Sequence, residues 1–395
     1  MITTIGFDTS ALDTSFKAHA QRGIGRYVRE LTKFFDANGN LPVKIRNFDH
    51  NKLKVPLFDS LVNLLPLGRQ TVRQQFLYPF SLAGNETKDS SMLHFPAHMD
   101  APSWGMKKYI VTVLDLIPLV CRDLYKSNKP NWRFAFGRWL ELRAIKNAAL
   151  IIAISENTAR DVERIFGYPR ERIVVTPLGV DEKFFSVTRS QGDQNEELRR
   201  KFRIPVGRPI VLYVGGIDQR KNMDGLLKSF NFALHTQRTQ NKPLPILVMA
   251  GKIEDDAEYP KLVNLMDDLN LRHDIVMPGY VSESDLLSIY GLSDVFFFPS
   301  LYEGFGLTPL EALAAGVPVV SSNTSSMPEV LSDAAILVSP TDHAACAEKI
   351  VDLLQNNEFA QSFIDRGKAR ARVFSWARTG EETVKAYQKC AALYA

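Results

Sequence analysis

Seven residues separate Glu303 from Glu311 in the run Pro299-Ser-Leu-Tyr-Glu303-Gly-Phe-Gly-Leu-Thr-Pro-Leu-Glu311. Two glycines follow the first carboxylate, in Gly304-Phe305-Gly306-Leu307, and such positions let backbone amides approach a ligand closely. Thr308, Pro309 and Glu311 carry helix-start signals: an N-cap hydroxyl, proline at the first helical position and glutamate three residues past the cap. A carboxylate, a glycine turn and a helix N-terminus are thereby collected in one loop at the C-terminal end of a strand, where ligands bind in open α/β sheets. Glu311 has two readings, as the closing member of a capping box with Thr308 or as a ligand contact. Glu303 precedes a glycine in a loop rather than sitting on a helical face, and reads more as a ligand contact.

A second cluster is Tyr213-Val-Gly215-Gly216-Ile-Asp218-Gln-Arg220-Lys221-Asn222. It places two glycines and two cations ahead of a helical pattern with Asn222 as its N-cap. A diphosphate there would meet backbone amides, the positive helix end and both side chains. A charge pair about 4 Å apart is worth roughly 4 kcal/mol at a surface dielectric. Two cations would thus largely offset repulsion between a diphosphate and Glu303; the plainer reading is two solvated surface cations. A third cluster, Arg22-Gly23-Ile-Gly25-Arg26-Tyr27, lacks the third glycine or alanine of a dinucleotide fingerprint at Val28, and the lysine and hydroxyl of a P-loop. It reads as an anion-suited glycine loop or as a plain turn. No metal site is expected, because Asp255-Asp256 lies in a polar acidic loop and the histidines are scattered. Cys121, Cys346 and Cys390 fit neither a metal spacing nor a disulfide framework.

These loops need strands to hold them. Asp294–Phe298 leads into Pro299 as a continuous apolar run, the pattern of a strand buried on both faces. Similar runs at Ile2–Phe7, Tyr109–Leu114, Leu150–Ile154, Ile173–Thr176, Pro209–Val214, Ile246–Ala250, Ile275–Met277 and Val317–Ser321 alternate with helical patterns. That alternation predicts an α/β chain with parallel sheets, ligands collecting at the C-terminal strand ends. The polar stretch Ser186–Arg200 is a linker or short solvated helix and marks the domain boundary. The expected division is residues 1–188, 189–374 and a terminal helix, 375–395, possible partner of either domain.

The chain has 395 residues, 45% hydrophobic and 23% charged, an ordinary globular composition for two or three domains. No apolar run approaches the roughly 18 residues that span a bilayer, and the N-terminus lacks a signal-peptide pattern. A cytoplasmic protein is expected. Its net charge of +4 is either an incidental surface excess or an attraction to phosphates or an anionic membrane face. The basic, apolar segment Phe58–Ala83 could contact lipid or a lipid-linked acceptor; the balance favours a buried helix and loop.

With these clusters in this order, the sequence resembles the retaining GT-B glycosyltransferases of the glycosyltransferase-4 family over nearly its whole length. The resemblance rests on Glu303 to Glu311, Gly-Ile-Gly-Arg-Tyr (23–27), Ile-Ser-Glu-Asn-Thr (154–158), Pro-Leu-Gly-Val-Asp (177–181) and Arg220-Lys221. It implies two Rossmann-like doubly wound domains facing across a cleft, the first on the acceptor side and the second holding a nucleoside-diphosphate sugar. It assigns Arg220 and Lys221 to the diphosphate, with Gly216 and the segment Gly304, Phe305, Gly306 and Leu307 beside them. Glu311 would hold the ribose, Glu303 the transferred sugar, and Tyr280 and Val281 the base. Gly23 and Gly25 would close over the phosphates, with Arg26 and His98 as acceptor-side candidates. Many relatives carry histidine where this chain has Leu114, so that role does not transfer; Asp115 would orient the acceptor hydroxyl or only cap a turn, and His98 would enter the cleft or remain a loop histidine.

The implied reaction is metal-independent hexosyl transfer, mannose from GDP-mannose being the first expectation by likeness to polysaccharide-building members. The implied partners are that co-substrate and a saccharide or lipid-linked saccharide acceptor, with peripheral contact to the inner membrane face and no nucleic acid. The rival readings are a non-catalytic nucleotide-sugar-binding protein and a dinucleotide-dependent oxidoreductase.

Overall fold

The computed structural model describes residues 3–13, 23–49, 87, 89–104, 108–125 and 132–394. Arg22 and the Phe58–Ala83 segment lie outside the described residues. The chain divides into two compact units, Met1–Gly179 with Trp376–Ala395, and Val180–Ser375.

The first unit is built on a six-stranded sheet of β1 (Thr4–Asp8), β2 (Lys44–Phe48), β3 (Met92–Phe95), β4 (Tyr109–Val113), β5 (Leu150–Ala153) and β6 (Ile173–Val175). Its spatial order is β2-β1-β3-β4-β5-β6. The second unit repeats the plan with β7 (Ile210–Val214), β8 (Ile246–Ala250), β9 (Ile275–Gly279), β10 (Val295–Phe298), β11 (Val319–Ser322) and β12 (Ile336–Val338), ordered β12-β11-β10-β7-β8-β9. All pairings are parallel. The internal strands β5 and β10 are buried at every residue, as unbroken apolar runs require when helices cover both faces of a sheet. Both sheets are doubly wound, with a switch in strand order beside β1 and β7, and the glycine-rich loops follow those two strands.

The polar stretch after Ser186 contains the solvated helix Gly192–Lys201, which belongs to the second unit. The chain changes unit earlier, at Gly179, where the Val180 amide donates to the Phe374 carbonyl at 3.0 Å. The segments that enter and leave the second unit are thereby stitched together.

The terminal helix, Trp376–Ala392, packs on the Gly23–Ala37 helix, with Gly380 lying directly under the Phe34 ring. Its Tyr387 hydroxyl lies 2.7 Å from His94 Nδ1, and His94 Nε2 lies 2.8 Å from the Thr112 hydroxyl. The Tyr27 hydroxyl is 3.1 Å from the same Thr112 oxygen. All four side chains are fully buried. Burial holds the His94 pKa down at about 3, with a smaller opposing pull from Asp8, so the ring is neutral.

Candidate active site

In the second unit the cationic loop and the carboxylate loop meet at the C-terminal ends of neighbouring strands β7 and β10. Asp218 opens a short 3-10 turn, Gln219–Lys221, by accepting from the Arg220 amide at 3.1 Å. Asn222 then takes a left-handed conformation (φ 59°) and caps the Met223–Thr239 helix by accepting from the Gly225 amide. Its Nδ2 donates to the carbonyls of Pro299 (3.1 Å) and Pro340 (2.9 Å). The Leu301 amide donates to the Arg220 carbonyl at 2.8 Å, and Arg220 Nη1 donates to the Tyr302 carbonyl at 3.2 Å. Two loops 82 residues apart in sequence are in this way laced into one piece.

At the junction lies Glu303, only 8% exposed. Its Oε1 is 2.8 Å from Arg220 Nη1, 2.6 Å from Lys221 Nζ and 2.9 Å from the donating Ser300 hydroxyl. Burial works against a charge on Glu303, but Lys221 and Arg220, with the hydrogen bonds from Lys221 and Ser300, outweigh it and hold the carboxyl below the ordinary glutamate value. Burial is also the largest influence on Lys221, whose pKa it lowers; Glu303 opposes that shift and Arg220 adds to it. Three donors converging on one oxygen make Glu303 an ionised carboxylate facing charged Lys221. Lys221 also lies 4.6 Å above the Phe298 ring centre, an arrangement that favours its cation.

The helix after Glu303 runs from Leu307 to Ala314 and opens on Gly306 at φ 108°, without a side-chain cap. The capping box expected at Thr308 is therefore not formed. Gly306 can take a dihedral that Thr308 would resist, and Met327 packs where a Cβ would stand, so the chain enters the helix two residues early. Thr308 and Pro309 fall inside the first turn, and Glu311 is buried in the helix body at 4% exposure. The uncapped first-turn amides follow directly on the Glu303 loop, the geometry of an anion site.

A hydroxyl triplet after β11 holds that loop in shape. Thr324 Oγ1 donates to the Leu301 carbonyl at 2.9 Å, Ser325 Oγ accepts from the Glu303 amide at 3.0 Å, and Ser326 Oγ donates to the Glu303 and Phe305 carbonyls at 3.0 and 2.8 Å. Sequence reasoning missed Ser300 and this triplet. Asn323-Thr-Ser-Ser reads as an ordinary turn, and only its placement beside Pro299–Gly306 gives it a role.

Further round the sheet, β7, β8 and β9 all end in glycines at positive φ: Gly215 (154°), Gly251 (153°) and Gly279 (75°). A Cβ on Gly251 would collide with the Gly215 carbonyl, so the strand ends form a close backbone shelf. Gly216 stands open beside it. Tyr280, 71% exposed, and half-buried Val281 follow Gly279, with Lys252 Nζ 5.1 Å above the Tyr280 ring.

The remaining candidates belong to the first unit. Gly23 and Gly25 form the first turn of the Gly23–Ala37 helix itself, which begins earlier than the helical pattern from Tyr27 suggests. Arg26 lies 6.0 Å over the Trp376 ring. His98 is buried in a 3-10 turn after β3, and Asp115 follows β4, where its Oδ1 accepts from the Ile117 amide at 3.1 Å as a turn-closing group. These residues trail β1, β3 and β4, which are adjacent in the sheet. Among the described residues, no cluster of three or more His, Cys, Asp or Glu could hold a metal.

Two doubly wound parallel sheets, each with a glycine-rich loop at its switch point, constitute the GT-B architecture. Residues 194–370 match the family profile "Glycosyl transferases group 1", and residues 89–184 match "Glycosyltransferase Family 4". An O-antigen chain mannosyltransferase B of Escherichia coli is 34% identical over 286 residues, 72% of this chain and 71% of that protein. A serotype-specific mannosyltransferase WbdA of Escherichia coli is 28% identical over 302 residues; the match covers 76% of this chain and about a third (35%) of that longer protein. A sucrose-phosphate synthase from Thermosynechococcus elongatus superposes with a TM-score of 0.70 over 99% of this chain and 100% of that one, at 19% identity. The chain belongs to the group 1 glycosyltransferases and is a transferase, which sets aside the oxidoreductase and non-catalytic readings.

Proposed function

We propose that the chain is a retaining, metal-independent hexosyltransferase that moves mannose from GDP-mannose to an acceptor hydroxyl on a saccharide or lipid-linked saccharide. O-antigen or lipopolysaccharide-type synthesis is the setting that its mannosyltransferase relatives support. The observation that carries the reading is the buried meeting of Arg220, Lys221 and Glu303 beside the open start of the Leu307–Ala314 helix. Breaking the bond to the sugar leaves a diphosphate whose negative charge must be stabilised as it forms. Arg220, Lys221 and the amides of Gly304 to Leu307 supply that stabilisation, the work a divalent cation does elsewhere.

Glu303 Oε1 is engaged by three donors, and Oε2 accepts none of these bonds. Oε2 is the oxygen we assign to a hydroxyl of the transferred sugar. Glu311 takes the ribose, and Tyr280 with Val281 takes the base. Gly23 and Gly25 cover the phosphates, and Asp115, with Arg26 and His98, serves the acceptor. The sugar passes through an oxocarbenium-like state. The acceptor attacks the face the diphosphate leaves, and the leaving phosphate oxygen takes its proton. The cytoplasmic face of a membrane is the proposed place of action. Among the described residues no helix is long and apolar enough to cross a bilayer.

A thermal-shift panel of GDP-, UDP- and ADP-sugars tests the donor. The correct one at 100 times its dissociation constant stabilises the fold by about 2.7 kcal/mol. Transfer in EDTA with the product anomer read by NMR tests the rest; an inverted anomer, or activity abolished by EDTA and restored by a divalent metal, would overturn the proposed mechanism.

A further inference from the structure

The three donors on Glu303 Oε1 are not equivalent. Arg220 and Lys221 are the groups a bound diphosphate also claims, so their hold on the carboxylate weakens when a donor arrives. Ser300 makes no such exchange. It is fully buried, and its hydroxyl is 2.9 Å from Oε1. Its backbone is held on both sides: the Pro299 carbonyl accepts from Asn222 Nδ2 at 3.1 Å, and the Leu301 carbonyl accepts from Thr324 Oγ1 at 2.9 Å. The Glu303 amide is separately pinned by Ser325. With the backbone held at both ends and Oε1 tethered by a neutral donor, the remaining freedom of the carboxylate is removed.

We propose that Ser300 is a positioning residue of the transfer step: it holds Glu303 Oε1 whether or not the two cations are occupied, and so presents Oε2 to the donor. This deepens the donor-binding reading given above and rests on it. The simpler role for a serine three residues before a glutamate is closing a turn. That role needs no particular oxygen and leaves the carboxylate's chemistry unchanged.

The two roles differ in measurable ways. The groups around Glu303 that bear charge or titrate are Arg220, Lys221 and Asp218 on the cationic loop and Tyr213 on β7. Ser300→Ala leaves all of them in place and removes one donor to the carboxylate, whose ionised form loses support. In protein labelled with 13C at glutamate carboxyls, the resonance lost in Glu303→Gln identifies Glu303, and its titration midpoint should move upward in Ser300→Ala. This measurement needs no donor. With GDP-mannose as probe, Ser300→Ala should lower kcat at least 10-fold while KM changes less than 3-fold. Ser300→Cys, of similar size and a weaker donor, should fall between. In the Glu303→Gln background, Ser300→Ala should change kcat less than 2-fold, because both changes act through one carboxylate. An unmoved Glu303 midpoint, or an equal loss of kcat in both backgrounds, would overturn the positioning role and leave the donor reading standing. If wild-type protein is stabilised by none of GDP, UDP or ADP, the donor reading itself falls, and the titration still decides whether Ser300 holds the carboxylate.

Discussion

Arg220 and Lys221 serve two anions in turn, the Glu303 carboxylate in the free chain and, on our reading, a diphosphate in the working enzyme. Their removal therefore acts twice. Each lost charge-assisted hydrogen bond costs about 1.5–3 kcal/mol, so Arg220→Ala with Lys221→Ala should cut turnover at least 100-fold (about 2.7 kcal/mol). The same double variant strands a buried carboxylate without a counter-ion, which costs about 3–5 kcal/mol of stability. Steady-state kinetics at a temperature where the variant remains folded, with urea unfolding alongside, separates the two losses. Turnover close to wild type would remove both side chains from the donor site. Adding Glu303→Gln to the double variant should restore part of the stability and none of the turnover. Glu303 was legible in the sequence as a loop carboxylate. Its nearness to Arg220 and Lys221 was legible too, but only by way of a shared diphosphate; the direct ion pair and the Ser300 hydroxyl on the same oxygen were not, because a contact 82 residues apart leaves no local pattern.

The helix opening at Gly306 is the element on which the anion site depends. A residue with a Cβ there meets an unfavourable positive φ, worth about 1–3 kcal/mol, and runs into Met327 as well. Gly306→Ala should lower the melting temperature by several degrees and weaken binding of GDP, since the first turn can no longer aim its amides. Calorimetric titration with GDP checks the binding; unaltered affinity in a destabilised variant would mean that the helix end does not contact phosphate. Helix signals in the sequence located the Leu307–Ala314 element but set its cap two residues late. Thr308-Pro309-Leu-Glu311 satisfies the local rules of a capping box, and tertiary packing of Gly306 against Met327 overrode them. Strong apolar runs such as β5 and β10 were readable because their burial on both faces leaves no polar residue in them. The short strand β2, Lys-Ile-Arg-Asn-Phe, escaped notice because as an edge strand it carries exposed and half-exposed polar residues.

For the whole molecule, the two units should differ in their response to acid. Neutral, buried His94 ties the terminal helix to the first sheet, and its folded pKa of about 3 lies below the ordinary 6.5. The unfolded chain thus binds a proton that the folded unit refuses. Stability from this source is complete above about pH 6.5 and is lost as pH falls toward 3, by about 1.4 kcal/mol per pH unit. Tyr387→Phe removes one hydrogen-bond partner from His94 and should cost the first unit about 1–3 kcal/mol. Limited trypsin digestion of the full chain should then release peptides from Met1–Gly179 and the terminal helix sooner, with Val180–Ser375 as resistant as in wild type. Equal sensitisation of both units would show that the helix supports them jointly.

The return of Trp376–Ala392 to the first unit also sets an order of events during synthesis. The unit whose translation starts first is completed last, because its closing helix follows the whole of Val180–Ser375. At about 5–20 residues per second, a ribosome keeps that unit waiting for roughly 10–40 s. Throughout that interval Phe34, Phe35 and the His94 ring lack the helix that covers them, while the second unit can already finish folding. A message that stops before Trp376 would yield a complete second unit attached to a first one that never closes, a natural client for chaperones.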